Sequence, residues 1–291
     1  MARPHIESIQ AQLMPWVPFG SDHPRAGAEA RVLSEDDENG ACSLMIRYPA
    51  GWSRKGTEVL TANEEFFVLD GEIELAGETY GLHDYAMLPA GHPSDDIAAP
   101  KGAVVLTFFS EAPSSSPAAD HKGGFDEELL IKKVSTISLR WDRSQPQREE
   151  TNAGDEMEYY EGGLKFLRQD PHTKDQSFLF SASPQTHPPG WSALQETHPT
   201  VEESFVVMGE MIGPREVRSA GAYFWRPPHI LHGPFGSLTG VVSFVRTQGG
   251  ALLDIWNEPK MGYSFNPESR PQVPADLQEY ATDKWTRQTC F

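Results

Sequence analysis

The apolar residues of this chain are gathered in short runs, most of them four to seven residues long. Glycine and proline interrupt these runs often, with 25 glycines and 24 prolines in 291 residues. Runs of this length that are rich in Val, Phe and Leu and bounded by turn residues favour strands over helices. The clearest are Ser43–Tyr48, Glu65–Leu69, Val104–Phe109, Phe178–Ser181, Ser204–Met208 and Val241–Val245. The pattern therefore predicts an all-β protein made of many short strands, as in barrels and sandwiches.

Helical periodicity is scarce along the chain. The best candidate is Ala275–Trp285, which follows Pro274, a residue typical of a helix start. An extended segment that ends in tryptophan opens each half of the chain, near Trp16 and at Val134–Trp141. Such segments are suited to cover the exposed edge of a neighbouring sheet.

One pattern occurs twice. The matching segments are Gly51-Trp52 and Gly190-Trp191, Glu64–Glu72 and Glu202–Glu210, and Pro89-Ala90-Gly91 and Pro227-Pro228-His229. The offset is 138 or 139 residues, which is too long for a solenoid and indicates a duplicated domain. A stretch rich in Pro and Ser at Glu111–Asp120 marks the boundary. We predict an N-terminal domain at 1–115, a linker at 116–130 and a C-terminal domain with its tail at 131–291.

Metal-type side chains accompany only the second copy of the repeat. These are Glu196, His198, Glu202 and His232, whereas the alignment gives Thr57, Val59, Glu64 and Ser94 in the first copy. Residues two apart in a strand share a face, so the first two candidates project together, with the third just after a turn. Two imidazoles and two carboxylates suit Fe, Mn, Zn, Ni or Co as divalent ions. We therefore predict one metal ion per chain, in the C-terminal domain.

Composition narrows the partners of the protein. The net charge of −18 excludes nucleic acid and anionic membranes as expected partners, because phosphate contacts need clustered Lys and Arg. The two cysteines, Cys42 and Cys290, form no disulfide framework. The N terminus lacks the apolar core of a signal peptide, and no apolar run approaches a membrane span. We expect a soluble cytoplasmic protein with a small-molecule ligand; a homodimer is compatible with the sequence, but no particular residue supports it.

The spacing of the second copy resembles the two motifs of the cupin superfamily. Residues 190–209 match a Gly, five residues, His-x-His, three or four residues, Glu, six residues and Gly, with Glu196 in place of the first histidine. Residues 221–232 match a Gly, five residues, Pro-x-Gly, two residues and His, with His229 in place of the glycine. In the first copy the spacing survives but both motif histidines are lost.

This resemblance implies a two-domain, or bicupin, protein with two tandem jelly-roll β-barrels and a degenerate first site. It is similar to cupin dioxygenases and to ChrR-type cupins. The first function that the resemblance implies is a metal-dependent enzyme of the dioxygenase type that acts on a small molecule in the C-terminal barrel. The alternative is a sensor or regulatory bicupin that binds a metal or metabolite without turnover.

The alternative interpretation of the same residues is a polar pocket without metal, in which Glu196 is a rim residue and the two histidines are hydrogen-bonded. The sequence alone leaves that alternative open. Two further histidines near the motifs are interpreted more simply. His229 is taken as a turn residue, and His187 as a loop residue that could line the mouth of the barrel.

Overall fold

The computed structural model describes residues 3–143, 162–184, 190–282 and 291. Regular structure in these residues is almost entirely β, which confirms the predicted class. Up to residue 139 the strands are β1 (Ile6–Gln10), β2 (Val17–Pro18), β3 (Glu29–Glu35), β4 (Cys42–Tyr48), β5 (Trp52–Arg54), β6 (Glu58–Leu60), β7 (Glu64–Gly71), β8 (Ile73–Leu75), β9 (Glu78–Tyr80), β10 (Asp84–Leu88), β11 (Pro93–Ser94), β12 (Ile97–Ala99), β13 (Ala103–Phe109), β14 (Ser115–Pro117) and β15 (Ile131–Ser135). After it come β16 (Gly162–Gln169), β17 (Gln176–Ala182), β18 (Ser192–Thr197), β19 (Val201–Ile212), β20 (Val217–Ser219), β21 (Ala222–Arg226), β22 (Val241–Gln248) and β23 (Ile255–Gly262).

Helical structure in the described residues is limited to short 3-10 segments. They lie at Ala11–Leu13, Ala118–Asp120, Glu127–Leu129, Thr136–Ser138 and Ala275–Tyr280. Two local predictions were therefore wrong in part. The strand predicted at Val134–Trp141 ends at Ser135, where a 3-10 turn begins. The predicted tail helix is a 3-10 segment up to Tyr280, and the end of the predicted range lies outside the described residues.

The described residues form two compact units. The first comprises Met14–Leu139 with Arg3 and Phe291, and the second comprises Pro4–Leu13 and the described residues between 140 and 282. In the first unit the strand orders are β15-β10-β7-β13-β4-β3-β2, β5-β12-β8-β9 and β11-β6-β14. In the second unit they are β1-β21-β19-β22-β17-β16, with β20 paired to β19, and β18-β23.

Each main sheet ends on a strand from the segment that precedes the other repeat. Strand β1 pairs antiparallel with β21, with Ile6 opposite Trp225. Strand β15 pairs antiparallel with β10, with Tyr85 opposite Val134. The expectation that the opening segments cover sheet edges is confirmed by this pairing, which supplies partners to backbone groups that an edge strand would leave exposed.

Both units bury apolar clusters together with charged side chains. In the first unit, alternate residues of β7 such as Phe66 and Val68 join a large apolar cluster with Leu44, Ile46 and Tyr80. Each such buried side chain contributes roughly 1.5–3 kcal/mol to folding. The apolar clusters found in the described part of the second unit are smaller, for example Leu164, Phe178 and Val245. Charged groups lie among its buried residues, and they form the site described next.

None of the helices in the described residues has the length and hydropathy needed to cross a membrane.

Candidate metal centre

Four side chains from two separate segments of the second unit, residues 196–202 and the loop after β21, converge on one point. Glu196 lies near the end of β18, His198 follows that strand, and Glu202 is the second residue of β19. His232 lies in the loop after β21, and its backbone exchanges two hydrogen bonds with Glu196, at 2.9 and 3.0 Å. The local turn Pro199-Thr200 reverses the chain between the second and third of these residues. All four residues predicted from the sequence are therefore brought together.

The distances between their polar atoms match a shared ligand position. The Nε2 atoms of His198 and His232 are 3.1 Å apart. His232 Nε2 is 3.4 Å from Glu196 Oε1 and 3.7 Å from Glu202 Oε2. His198 Nε2 is 3.5 Å from Glu202 Oε2. One ligand atom each from Glu196, His198 and His232 lies within 4.8 Å of the others, which is the spacing of groups around one ion.

Both imidazole rings are oriented through their other nitrogen. His198 Nδ1 lies 3.1 Å from the carbonyl oxygen of Leu253, and His232 Nδ1 lies 2.8 Å from that of Ile230. A carbonyl oxygen only accepts, so each Nδ1 carries the proton and donates. In the neutral rings the lone pairs of both Nε2 atoms then face each other across 3.1 Å. Two facing lone pairs repel unless a proton or a metal cation lies between them, and fixing a ring by its far nitrogen is typical of metal-binding histidines.

A second layer of charged groups holds Glu202. Its carboxylate forms an ion pair with Arg226, the last residue of β21. Arg226 also binds Glu7 of β1, through Nε at 3.0 Å and through Nη2. Glu7 in turn pairs with Arg218. Burial alone would raise the pKa of Glu202, but Arg226 and His198 outweigh it and hold this pKa far below its usual range. Glu202 is therefore ionised near neutral pH.

Asp254 completes the surroundings of His198. Its Oδ1 lies 3.3 Å from His198 Nδ1. Burial, followed by the negative charge of Glu196, raises the pKa of Asp254 to about 7. Burial would lower the pKa of His198, but Glu202 and the other nearby carboxylates outweigh it and raise that pKa to about 9. The metal-free site therefore attracts positive charge strongly enough to hold a proton on an imidazole.

The charges of the connected cluster fit a divalent cation. Apart from Asp254, whose pKa of about 7 leaves it partly protonated at neutral pH, it contains four carboxylates and only two guanidinium groups, and the imidazoles are neutral when they act as ligands. The members are Glu7, Glu196, Glu202, Glu216, Arg218 and Arg226. All of these side chains are at most 18% exposed. Uncompensated charge at such burial is costly, and one divalent ion would supply the missing two positive charges.

The two other histidines near the motifs are not part of the centre as described. His229 is exposed, has φ of 65° and donates its backbone N–H to the carbonyl oxygen of His198 at 2.7 Å. This left-handed conformation is one that glycine adopts more readily than other residues, and the interpretation of His229 as a turn residue is confirmed. His187 lies outside the described residues.

Replacing His229 with glycine should stabilise the protein by about 0.5 kcal/mol, because relief of the left-handed strain exceeds the added entropy of the unfolded chain. The midpoint of urea unfolding measures this. His229→Ala, which keeps a Cβ at positive φ, is the matched control and should give no gain. Destabilisation by glycine would mean that the imidazole itself makes a stabilising contact.

Strand pairing corrects the alignment of the two copies by one residue. In the second unit the backbone of His232 pairs with Glu196, and in the first unit Ser94 pairs with Glu58. Both residues of the first pair lie 138 positions after those of the second. Glu58 is therefore the counterpart of Glu196, and the assignment of Thr57 was wrong. Thr57 is exposed and bonds to Asp95 instead.

The same offset makes Leu60, not Val59, the counterpart of His198, and keeps Glu64 as the counterpart of Glu202. The error arose because the first copy has one extra residue. This residue lies between Gly51 and Glu58, whereas the alignment by sequence had placed it between Val59 and Glu64. The first unit therefore retains both carboxylates of the centre and has lost both imidazoles.

Sequence reasoning missed three contributors to this centre. Arg226, Glu7 and Asp254 have no place in the motif pattern, and two of them reach the site from distant segments. One signal was available: Arg226 lies within the second motif, directly before Pro227, at the end of β21.

Comparison with known proteins supports the cupin fold. The model of a family described as "Domain of unknown function (DUF4437)" matches residues 16–252. No curated protein matches the sequence. A solved structure from Nostoc punctiforme, described as a "putative dioxygenase", is 16% identical with a TM-score of 0.69, and the alignment covers 89% of this chain and 87% of that one.

Two further solved structures share this fold. A mutant of oxalate decarboxylase from Bacillus subtilis has a TM-score of 0.53 and 11% identity, and the alignment covers 87% of this chain and 80% of that one. Vicilin from hazelnut, Corylus avellana, has a TM-score of 0.51 and 10% identity, with coverages of 84% and 85%. At these identities the similarity shows the fold alone, because cupin-type sheets carry many chemistries.

Proposed function

We propose, starting from the fact that the chain belongs to the family described as a domain of unknown function, DUF4437, that it is a metal-binding bicupin whose second unit catalyses a dioxygenase-type reaction on a small molecule. The sequence-based boundaries, with domains at 1–115 and 131–291 and a linker at 116–130, belong to this proposal. So do the two barrels and the location in the cytoplasm.

The observation that carries the proposal is the pair of imidazoles whose Nε2 atoms face each other. Both Nδ1 atoms are occupied by carbonyl oxygens, and Glu196 and Glu202 complete the donor set. Nitrogen and carboxylate donors together suit borderline divalent ions such as Fe, Mn, Zn, Ni and Co. When bound, such an ion would act as a Lewis acid and as a template for dioxygen and a chelating substrate.

The protein's own groups supply the rest of the chemistry. Glu202 stays ionised because Arg226 is paired with it, so it can hold a cation over a wide pH range. Asp254, with a pKa of about 7, lies beside His198 and is suited to take or give a proton near neutral pH. Both imidazoles are only 4% exposed, so a ligand bound between them would be largely shielded from bulk water.

Elemental analysis of protein purified without chelator and supplied with metal should give about one divalent ion per chain. We expect it to reside in the second unit only, since the first has lost both imidazoles. Two ions per chain would contradict the assignment of the first unit. No bound ion would favour the polar pocket without metal.

An oxygen-uptake screen with 1,3-diketones and phenolic ketones then separates the enzyme from the sensor. Consumption that depends on the bound metal supports the dioxygenase. Tight binding of metal or ligand without oxygen consumption supports the regulatory alternative. Protein stripped with a chelator is the control, and it should regain uptake when the metal is restored.

A further inference from the structure

A buried arginine lies in the interior of the first unit. The side chain of Arg25 is 1% exposed, with Nη1 3.1 Å from Glu58 Oε1 and Nη2 2.6 Å from Glu64 Oε2. These two carboxylates are the counterparts of Glu196 and Glu202 by strand pairing. One guanidinium thus joins the two acidic side chains that, in the second unit, belong to the candidate metal centre.

The charges of this pocket balance without a bound ion. Glu58 also pairs with Arg54, so two carboxylates face two guanidinium groups. Burial alone would lower the pKa of Arg25, but Glu64, Tyr48 and Glu58 outweigh it and raise the pKa. The imidazole positions are filled by Leu60 and Ser94, which offer no nitrogen donor. The first unit therefore lacks both the ligands and the charge deficit that a divalent cation needs.

We propose that the first unit is a cation site occupied from within, in which the guanidinium of Arg25 bridges Glu58 and Glu64 at the place that corresponds to the metal centre of the second unit. Removal of the side chain would leave a pocket for a small guanidinium compound. This proposal depends on strand pairing and ion pairs, and it stands whether or not the second unit binds metal.

The positions of the two carboxylates suit a guanidinium group better than an ammonium group. The planar fork presents two nitrogens to two separate carboxylates at once, whereas an ammonium is a single point of charge. Two retained carboxylates would repel each other if the bridging cation were absent. Their retention in a unit that lost both imidazoles is explained if they serve the arginine.

Chemical rescue of Arg25→Ala tests the proposal. Thermal unfolding is measured with 10 mM methylguanidine, with 10 mM methylurea, which is similar in shape but uncharged, and with neither. We expect Arg25→Ala to lower Tm by roughly 10 °C, because it leaves buried carboxylates without their partner. Methylguanidine should restore about half of this loss, by binding only to the folded protein. Methylurea should restore less than 1 °C, and the wild type should respond to neither compound.

Arg25→Met combined with Glu58→Gln and Glu64→Gln keeps the test decisive if Arg25→Ala does not fold. This triple variant carries no uncompensated carboxylate, so it should fold, unfold at a higher temperature than Arg25→Ala and ignore methylguanidine. A triple variant no more stable than Arg25→Ala would show that the uncompensated carboxylates are not the cause of the loss, and it would overturn the proposal. Equal rescue by methylurea, or an unchanged Tm in Arg25→Ala, would also overturn the proposal.

Discussion

Replacement of His232 with alanine is expected to lower metal affinity by more than the roughly 100-fold that loss of a supporting residue can cause. His232 supplies one of only two imidazoles and comes from a different segment than the other three candidate ligands. Without His232, the remaining candidate ligands all come from the end of β18, the start of β19 and the turn between them, and the second motif supplies none. Isothermal titration with Zn²⁺, together with elemental analysis at equal protein concentration, measures the change.

His229→Ala is the matched control for this variant. His229 lies in the same turn, is exposed and makes its bond to His198 through the backbone. It should keep the affinity of the wild type within about 2-fold. Full metal content and unchanged affinity in His232→Ala would remove the second motif from the site, and the hydrogen-bonded polar pocket would become the better interpretation of both histidines.

The candidate centre was predictable because its residues are close in sequence or lie in a motif of fixed spacing. Glu196, His198 and Glu202 span seven residues, so strand alternation and one turn suffice to bring them together. The same method failed by one residue in the first copy. Without histidines to anchor the alignment, the offset of the Gly-Trp segments placed Thr57 opposite Glu196. The shared residue type of Glu58 and Glu196 was a signal for the other alignment, and the pairing of Glu58 with Ser94 decides it.

The charged groups around the sites were not predictable, because they arrive from distant segments. Glu7 precedes Arg226 by 219 residues and Arg25 precedes Glu64 by 39. A strand pattern marks such residues as interruptions of an apolar run and does not reveal their partners. Likewise, the 3-10 turn after Ser135 depends on backbone bonding that composition does not encode.

Comparison of the two units gives a consistent account of their charges. Both retain a pair of buried carboxylates at equivalent positions. In the first unit these are neutralised by side-chain guanidinium groups. In the second, Arg226 is already shared with Glu7, so it cannot neutralise Glu196 and Glu202 as well. The choice between an internal cation and an external one therefore depends on how each arginine is partnered.

That account makes Glu7 a sensitive position for the second unit. Glu7→Gln should lower stability by about 3 kcal/mol near pH 7, because it removes the carboxylate that binds the buried guanidinium groups of both Arg226 and Arg218. It should also lower metal affinity about 10-fold, since the released positive charge of Arg226 competes for Glu202. Urea unfolding and Zn²⁺ titration, carried out well below Tm, measure the two effects separately.

The pH dependence of the Glu7→Gln effect has a definite sign. Burial would raise the pKa of Glu7, but Arg226 and Arg218 outweigh it and hold the pKa well below its usual range. Its stabilisation is therefore complete above the unfolded value of about 4.3, and it is lost as the pH falls towards the folded value. The stability difference between wild type and Glu7→Gln should accordingly shrink in acid.

Glu216→Gln separates positioning from simple stability. Glu216 is buried and pairs with Arg218, which binds Glu7, whereas Glu202 is bound by Arg226. We expect this variant to lose a similar amount of stability while its metal affinity stays within about 2-fold of the wild type. If Glu7→Gln lost stability but bound Zn²⁺ as tightly as the wild type, Arg226 would hold Glu202 without help from the N-terminal strand. Equal losses of Zn²⁺ affinity in Glu7→Gln and Glu216→Gln would show a general loosening of the unit. Of these two carboxylates, it is Glu7 that binds Arg226, the arginine paired with Glu202.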